Sequence, residues 1–227
     1  MSERNFKLSP SDFAFLWEEC KRCFWLKVTG VLPRPRPIMP RIFTAIDEAM
    51  KDYYQGMRTE KINPGMPPGV VDFSDRWVES LPISLPGWKS SCFIRGKFDT
   101  ILKLDDGTFG VVDFKTSTIR AEHVGKYSRQ LHAYAACLEN AVPGEFALET
   151  ISKLGLLVFQ PKTFAQNGNT SASLAGALEW MDIPRDDDSF LAFLGSVVGI
   201  LDLETPPKAA PGCEWCRYRE EGRRRDV

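Results

Sequence analysis

Three side chains of this 227-residue chain have the types and spacing that hydrolytic chemistry on a phosphate needs: Asp99, Asp113 and Lys115. Asp99 closes the run Gly96-Lys97-Phe98-Asp99, and the other two lie in Val111-Val112-Asp113-Phe114-Lys115-Thr116. Both runs read as strands, and pairing them sets Asp99 beside Asp113. Two adjacent carboxylates repel unless a divalent cation lies between them, and a hard ion such as Mg²⁺ or Mn²⁺ suits an all-oxygen site. Lys115, two residues after Asp113, shares its face of the strand by the period of two. A metal to polarise phosphate and an ammonium to orient water make a set for phosphodiester hydrolysis. The plainer reading of D-x-K is an exposed strand with alternating charge.

A second constellation is made of sulfur. Four of the six cysteines form two C-x-x-C pairs, Cys20 with Cys23 and Cys213 with Cys216, separated by 189 residues. Each pair offers two thiolates from one turn, and two pairs complete a four-thiolate set for one ion or cluster. Buried thiols or disulfides are the alternative. Cys92 and Cys137 stand alone.

The elements that must position these groups follow from the apolar pattern. Ser9-Pro10-Ser11-Asp12 opens a helix with Ser at the N-cap, Pro at the first helical position and Asp three residues after the cap. Phe13, Leu16 and Trp17 continue it, with Cys20 and Cys23 at its end. Pro33, Pro35, Pro37 and Pro40, interleaved with Arg34, Arg36 and Arg41, force an extended connector. A second helix is predicted over 41–54. Residues 62–90, with five prolines, read as loop with a short helix near 74–79. Strands follow over 91–104 and 108–115, joined by the hairpin signal Asp105-Asp106-Gly107. A helix over 122–140 places Val124, Leu131, Tyr134 and Leu138 on its apolar side. Strands over 151–160 and 177–183 come next, the second nearer an edge, and a helix over 187–203 is capped by Asp186 or Asp187. The order indicates an α/β fold, a mixed sheet flanked by helices.

The Gly-x-x-Asp strand, the hairpin, Asp113-Phe114-Lys115-Thr116-Ser117 and a helix bearing Gln130 and Tyr134 together resemble the PD-(D/E)xK nuclease superfamily in its RecB-like branch. That resemblance implies a restriction-endonuclease-like fold: a single domain over 1–227, a catalytic core over 91–160 and cysteine-staple regions at 9–30 and 205–220. It implies that Asp99 and Asp113 bind Mg²⁺ or Mn²⁺, with the Phe114 carbonyl as a further ligand. Lys115 is then catalytic, and Gln130 and Tyr134 line the site beside the DNA backbone. Many relatives carry a metal-binding His within a G-x-x-x-H pattern. The equivalent run here is Phe43-Thr44-Ala45-Ile46-Asp47, so Asp47 stands where His is expected, either as an oxygen ligand or as a solvent-facing carboxylate. Relatives such as the CRISPR-adaptation exonucleases and bacterial helicase-nuclease subunits join their chain ends at a four-cysteine 4Fe–4S cluster, often with one N-terminal and three C-terminal cysteines. The two-plus-two arrangement of Cys20, Cys23, Cys213 and Cys216 leaves Zn²⁺ as the alternative. Either group would present Arg217, Arg219 and Arg223 to Arg225 beside the staple.

Composition narrows the classes. Lys and Arg number 29 against 30 Asp and Glu, so a uniformly basic coat is excluded. Residues 1–41 carry eight basic and four acidic groups and residues 212–227 five and four, which leaves 16 and 22 in the middle. A basic N-terminal arm beside an acidic centre fits a phosphate-binding rim around metal-holding carboxylates. No apolar run reaches a membrane span and residues 1–8 do not resemble a signal peptide, so a cytoplasmic location is expected. The two histidines, His123 and His132, read as packing or surface residues. The expected activity is that of a metal-dependent DNA nuclease, acting on single strands or ends in repair, recombination or defence. A helicase or another repair or defence protein is its expected partner. A non-catalytic nucleic-acid-binding module of the same fold is the rival. A thiol redox protein is the weakest reading.

Overall fold

The computed structural model describes residues 3–35, 38–117 and 121–225, apart from the side chains of 121–123. The chain runs through β1 (Asn5–Leu8), α1 (Pro10–Ala14), α2 (Leu16–Glu19), α3 (Lys21–Val28) and α4 (Arg41–Tyr54). Then come β2 (Gly69–Ser74), β3 (Trp77–Glu79), β4 (Ile83–Ser84), β5 (Ser91–Lys97), β6 (Thr100–Leu104) and β7 (Phe109–Thr116). The last part comprises α5 (Ala121–Glu139), β8 (Ile151–Asn167), β9 (Ser171–Ile183), α6 (Asp187–Leu201) and α7 (Glu214–Arg224). Five strands form one sheet in the order β2-β6-β7-β8-β9, antiparallel except for the parallel β7–β8 pair. A smaller sheet is centred on β5, with β1 parallel to it and β3 and β4 antiparallel. The result is the expected α/β fold, with mixed sheets flanked by helices.

Strand β7 is the axis of the site. Its residues Gly110 to Phe114 are buried, as a central strand covered on both faces requires. Val111 belongs to the large core shared with α5 and α6, whereas Val112 and Phe114 pack into a smaller core with Leu102 and Leu157. Met50 and Tyr54 of α4 close that second core, Tyr54 meeting Phe114 edge-on at 6.1 Å between ring centroids. Helix α5 and helix α4 therefore cover opposite faces of β7. The turn at Asp105-Asp106-Gly107 forms as expected, with Gly107 at φ 86°, a conformation that costs glycine little.

Several local expectations are corrected. The strand over 91–104 is two strands in different sheets, and Phe98 and Asp99 lie between them. The break is pinned: the Phe98 N–H donates to the Arg76 carbonyl at 3.2 Å and the Asp75 N–H to the Asp99 carbonyl at 3.1 Å. The helix expected at 74–79 is a turn through Asp75, at φ 55°, leading into β3, because Val78 is drawn into the core as β3 pairs with β5. The first helix is three short ones, with Cys20 extended between α2 and α3. Ser9 is the N-cap and Pro10 follows it, but the Ser9 hydroxyl pairs with that of Ser11. The Asp12 carboxylate pairs instead with the Lys27 ammonium at 2.6 Å. Asp186 is the cap of α6, accepting from the Ser189 N–H at 3.0 Å. β8 and β9 run past the expected 151–160 and 177–183 as a solvent-exposed ribbon, with β9 at the sheet edge. β1, β2 and α7 fall where the sequence predicts no element.

Candidate active site and cysteine cluster

The break between β5 and β6 delivers Asp99 to the end of β7. The register pairs Thr100 with Val112, so the next residues along, Asp99 and Asp113, come together across the strands. The Phe114 N–H donates to Asp99 Oδ2 at 3.1 Å, which ties that carboxylate to the β7 backbone. Asp113 is 3% exposed, and its only ammonium partner among the described residues is Lys115, on the same face of β7. Burial first, with the neighbouring Asp99 charge added and Lys115 opposing, pushes the Asp113 carboxyl up to about 8. Burial works against the Lys115 charge, but Asp113 and Asp99 hold its ammonium above the ordinary lysine range.

Helix α5 roofs this corner. Gln130 Nε2 donates to Asp113 Oδ1 at 3.4 Å, while Gln130 Oε1 is buried with no protein partner. Tyr134, one turn on, is 5% exposed and its hydroxyl donates to the Lys97 carbonyl at 2.7 Å. Through that bond it holds the end of β5 next to the Asp99 and Asp113 carboxylates. The glycine of the Gly-x-x-Asp run has a packing reason: a Cβ at Gly96 would lie 2.8 Å from Pro10 Cδ and 3.0 Å from Tyr134 Cε1. Tyr127 adds its ring beneath the Lys115 ammonium at 5.3 Å.

On the other side of Asp99 lies a group that sequence reasoning missed. Lys51 is the only buried residue of α4, and its ammonium reaches Asp47 Oδ2 at 2.7 Å, Asp75 Oδ1 at 3.1 Å and Asp99 Oδ1 at 3.3 Å. Burial lowers its affinity for a proton, but Asp99, Asp47 and Asp75 outweigh it and hold Lys51 well above the ordinary lysine range. Asp47, one turn earlier, is half-buried with its Oδ2 turned to Lys51, and its carboxyl is raised chiefly by burial. Against burial, Lys97 and Lys51 draw the Asp75 carboxyl down. The Asp47-to-Lys51 spacing of four was the signal available for Lys51. Nothing in the sequence ties Asp75 to this place.

The four cysteines converge at the opposite end of the chain path. The four Sγ atoms of Cys20, Cys23, Cys213 and Cys216 all lie within 4.8 Å of one another, and none is in a disulfide. The shortest separations are 3.5 Å for Cys23 to Cys216, and 3.8 Å for both Cys20 to Cys216 and Cys23 to Cys213. Donors surround them: Arg219 reaches Cys23 and Cys216 at 3.4 Å, Arg34 reaches Cys213 at 3.4 Å, and the neutral Ala210 N–H meets Cys20 at 3.5 Å. Burial raises the Cys20 thiol, yet the Ala210 and Cys23 backbone bonds and the other thiols bring it down to about 7. Cys92 and Cys137 sit apart in the core, where burial drives both thiols up to about 12. Arg34 also pairs with Glu19, so it belongs to this cluster and is not free for the expected phosphate rim. Arg41 is exposed, and Arg36 lies outside the described residues.

His132 is a packing residue, as expected. Its Nδ1 bonds the Ser128 carbonyl at 2.8 Å, which leaves Nε2 to accept from the Asp186 N–H at 2.8 Å. The side chain of His123 lies outside the described residues.

The PD-(D/E)XK nuclease superfamily model matches residues 34–220, which includes every carboxylate, lysine and glutamine of this corner. The chain belongs to that superfamily. Among solved structures, the chain is similar to the crystal structure of SSO0001 at 14% identity and a TM-score of 0.52, covering 91% of this chain and 81% of that one. At that identity the likeness concerns the fold. Comparison with curated proteins returns no match. No helix among the described residues is long and apolar enough to cross a membrane.

Proposed function

We propose that the chain is a metal-dependent DNA nuclease that hydrolyses phosphodiester bonds, acting on single strands or free ends. The observation that carries this reading is the meeting of Asp99, Asp113 and Lys115 beneath Gln130. A buried carboxylate pushed far up, a half-buried one beside it and a buried amide oxygen without a protein partner form a hard-oxygen donor set suited to a divalent cation. Asp99 and Asp113 would hold Mg²⁺ or Mn²⁺, with the Phe114 carbonyl beside them, while Asp47 is engaged by Lys51. Such an ion polarises the phosphate and lowers the pKa of water. The chain's own residues do the rest. Lys115 places an ammonium against the attacked phosphate, where charge develops, and Gln130 steadies the Asp113 carboxylate. Tyr134 keeps Asp99 in place by fixing the end of β5.

The same reading makes the cysteine cluster a structural staple. Zn–S bonds of about 2.3 Å put tetrahedral ligand sulfurs about 3.8 Å apart. In a 4Fe–4S cluster each cysteine caps its own iron, which spreads the sulfurs to roughly 6 Å. The separations of 3.5 and 3.8 Å therefore support one tetrahedral ion, Zn²⁺, over the iron–sulfur cluster expected from the resemblance. Repair, recombination or defence, with a helicase-type partner and a cytoplasmic setting, is the context consistent with this reading.

The test is Mn²⁺-dependent cleavage of single-stranded, duplex and flapped DNA by the pure protein, with Asp113→Asn alongside. Cleavage that the substitution removes sustains the nuclease. DNA binding with no metal-dependent product on any substrate leaves a non-catalytic binding module of the same fold.

A further inference from the structure

The carboxylates of the active corner fall into two sets that share one member. Asp99 and Asp113 form the inner pair with Lys115, and Asp47, Asp75 and Asp99 form an outer trio around Lys51. Asp99 serves both: its Oδ2 is held by the Phe114 N–H on the inner side, and its Oδ1 faces Lys51. A bridging carboxylate between two cation positions is how paired-metal phosphodiester enzymes are organised, with ions about 3.5–4 Å apart. Here the Lys51 ammonium lies on the outer side of Asp99.

The way Lys51 sits there is specific. Its side chain is 5% exposed on a helix with no other buried residue, and its three N–H donors meet three different carboxylates at 2.7, 3.1 and 3.3 Å. A compact ammonium with three donors is the nearest side-chain equivalent of a small cation in an oxygen cage. Burying it is favourable only because the carboxylates surround it. Asp75 reaches it from the left-handed backbone region, φ 55°, a conformation that costs a non-glycine residue energy and persists where the surroundings enforce it. Lys97 pairs with Asp75 from outside at 2.9 Å but is 45% exposed and touches no other carboxylate of the trio.

We propose that Lys51 occupies the second cation position of this nuclease, so that the carboxylate corner takes one divalent ion per chain where Asp47, Asp75 and Asp99 would otherwise hold another. This rests on the metal-dependent reading of Asp99 and Asp113. Lys51 is a positioning residue: it neutralises the outer trio and orients Asp99 toward the inner pair.

The experiment is a Mn²⁺ titration of the 227-residue chain with its cysteine site loaded, followed by electron paramagnetic resonance. Wild type binds one Mn²⁺, and Asp113→Asn abolishes it. Lys51→Met, of similar length without charge, and Lys51→Ala each bind two, with the spectral broadening of a coupled pair, whereas Lys51→Arg stays at one. Retained cysteine-site metal and circular dichroism confirm that the variants are folded. One Mn²⁺ in folded Lys51→Met or Lys51→Ala overturns the assignment and leaves the nuclease intact. Two Mn²⁺ in wild type overturn it without recourse to any variant, including the case where both substitutions unfold the chain. Wild-type Mn²⁺ that survives Asp113→Asn defeats the nuclease reading itself.

Discussion

The carboxylate corner and the cysteine cluster are both built from residues distant in sequence, but they handle charge in opposite ways. In the corner, acids crowd together and lysines are the counter-charges: Lys115 on Asp113, and Lys51 among Asp47, Asp75 and Asp99. In the cluster, thiols crowd together and arginines answer, Arg34 and Arg219 donating N–H groups to sulfur. A lysine ammonium is a mobile point charge that can yield to or assist an incoming ligand, whereas the planar arginine fork locks a geometry. The backbone differs in the same sense. The corner hangs on a break between strands and a left-handed Asp75, while the cluster is carried by helices α3 and α7 and the turn before α7.

That contrast can be broken by substitution, and the largest expected effect is on rate. Asp113→Asn should lower Mn²⁺-dependent cleavage at least about a hundredfold, the lower range for losing a main electrostatic element, while leaving the melting temperature unchanged or higher. Full activity in that variant would end the assignment. The cluster should behave conversely. Cys213→Ser or Cys20→Ser should lose the bound metal and about 3 kcal/mol of stability, or roughly 6–12 °C in melting temperature for a chain of this size. Cys92→Ser and Cys137→Ser should keep their metal. Metal analysis of the four variants decides the point, and iron in the wild type would refute zinc.

A smaller effect separates packing from chemistry. Gly96→Ala inserts a methyl against Pro10 and Tyr134 and should cost about 1–3 kcal/mol in denaturant unfolding. Tyr134→Phe removes only the bond to the Lys97 carbonyl, about 1 kcal/mol.

The gentlest probe is pH. Asp113 is raised in the folded state, to about 8, so the folded chain binds a proton more tightly than the unfolded one. Without divalent ions, stability from this group is fully present below the ordinary carboxylate range and is lost as pH rises toward and through 8. Thermal melts between pH 5 and 8 should therefore decline. Mn²⁺ should restore the most stability at the upper end, and Asp113→Asn should flatten the dependence. A decline of the same size in Asp113→Asn would assign it to other groups.

Much of the chemistry was legible in residue types and local spacing. Asp113 and Lys115 share a face because strand side chains alternate, Gln130 and Tyr134 share a face because helix positions four apart do, and each C-x-x-C pair turns both thiols one way. Helix α4 was predicted at its observed bounds because its polar and apolar positions repeat with helical period and a proline precedes it. These are local rules, and the chain within a few residues suffices to apply them. Long-range pairing decided the rest. Whether 91–104 is one strand or two depends on the turn at 75–76 that holds Phe98 and Asp99, and β2 and β3 exist only because β6 and β5 are there to pair with them. The outer trio around Lys51 joins residues from α4, the Asp75 turn and the β5–β6 break, and no pattern along the chain encodes that meeting. Spacing in sequence sets which way a side chain points from its own element, but which charges it meets there is set by packing between elements, and a buried lysine is tolerated only after that packing has brought its acids to it.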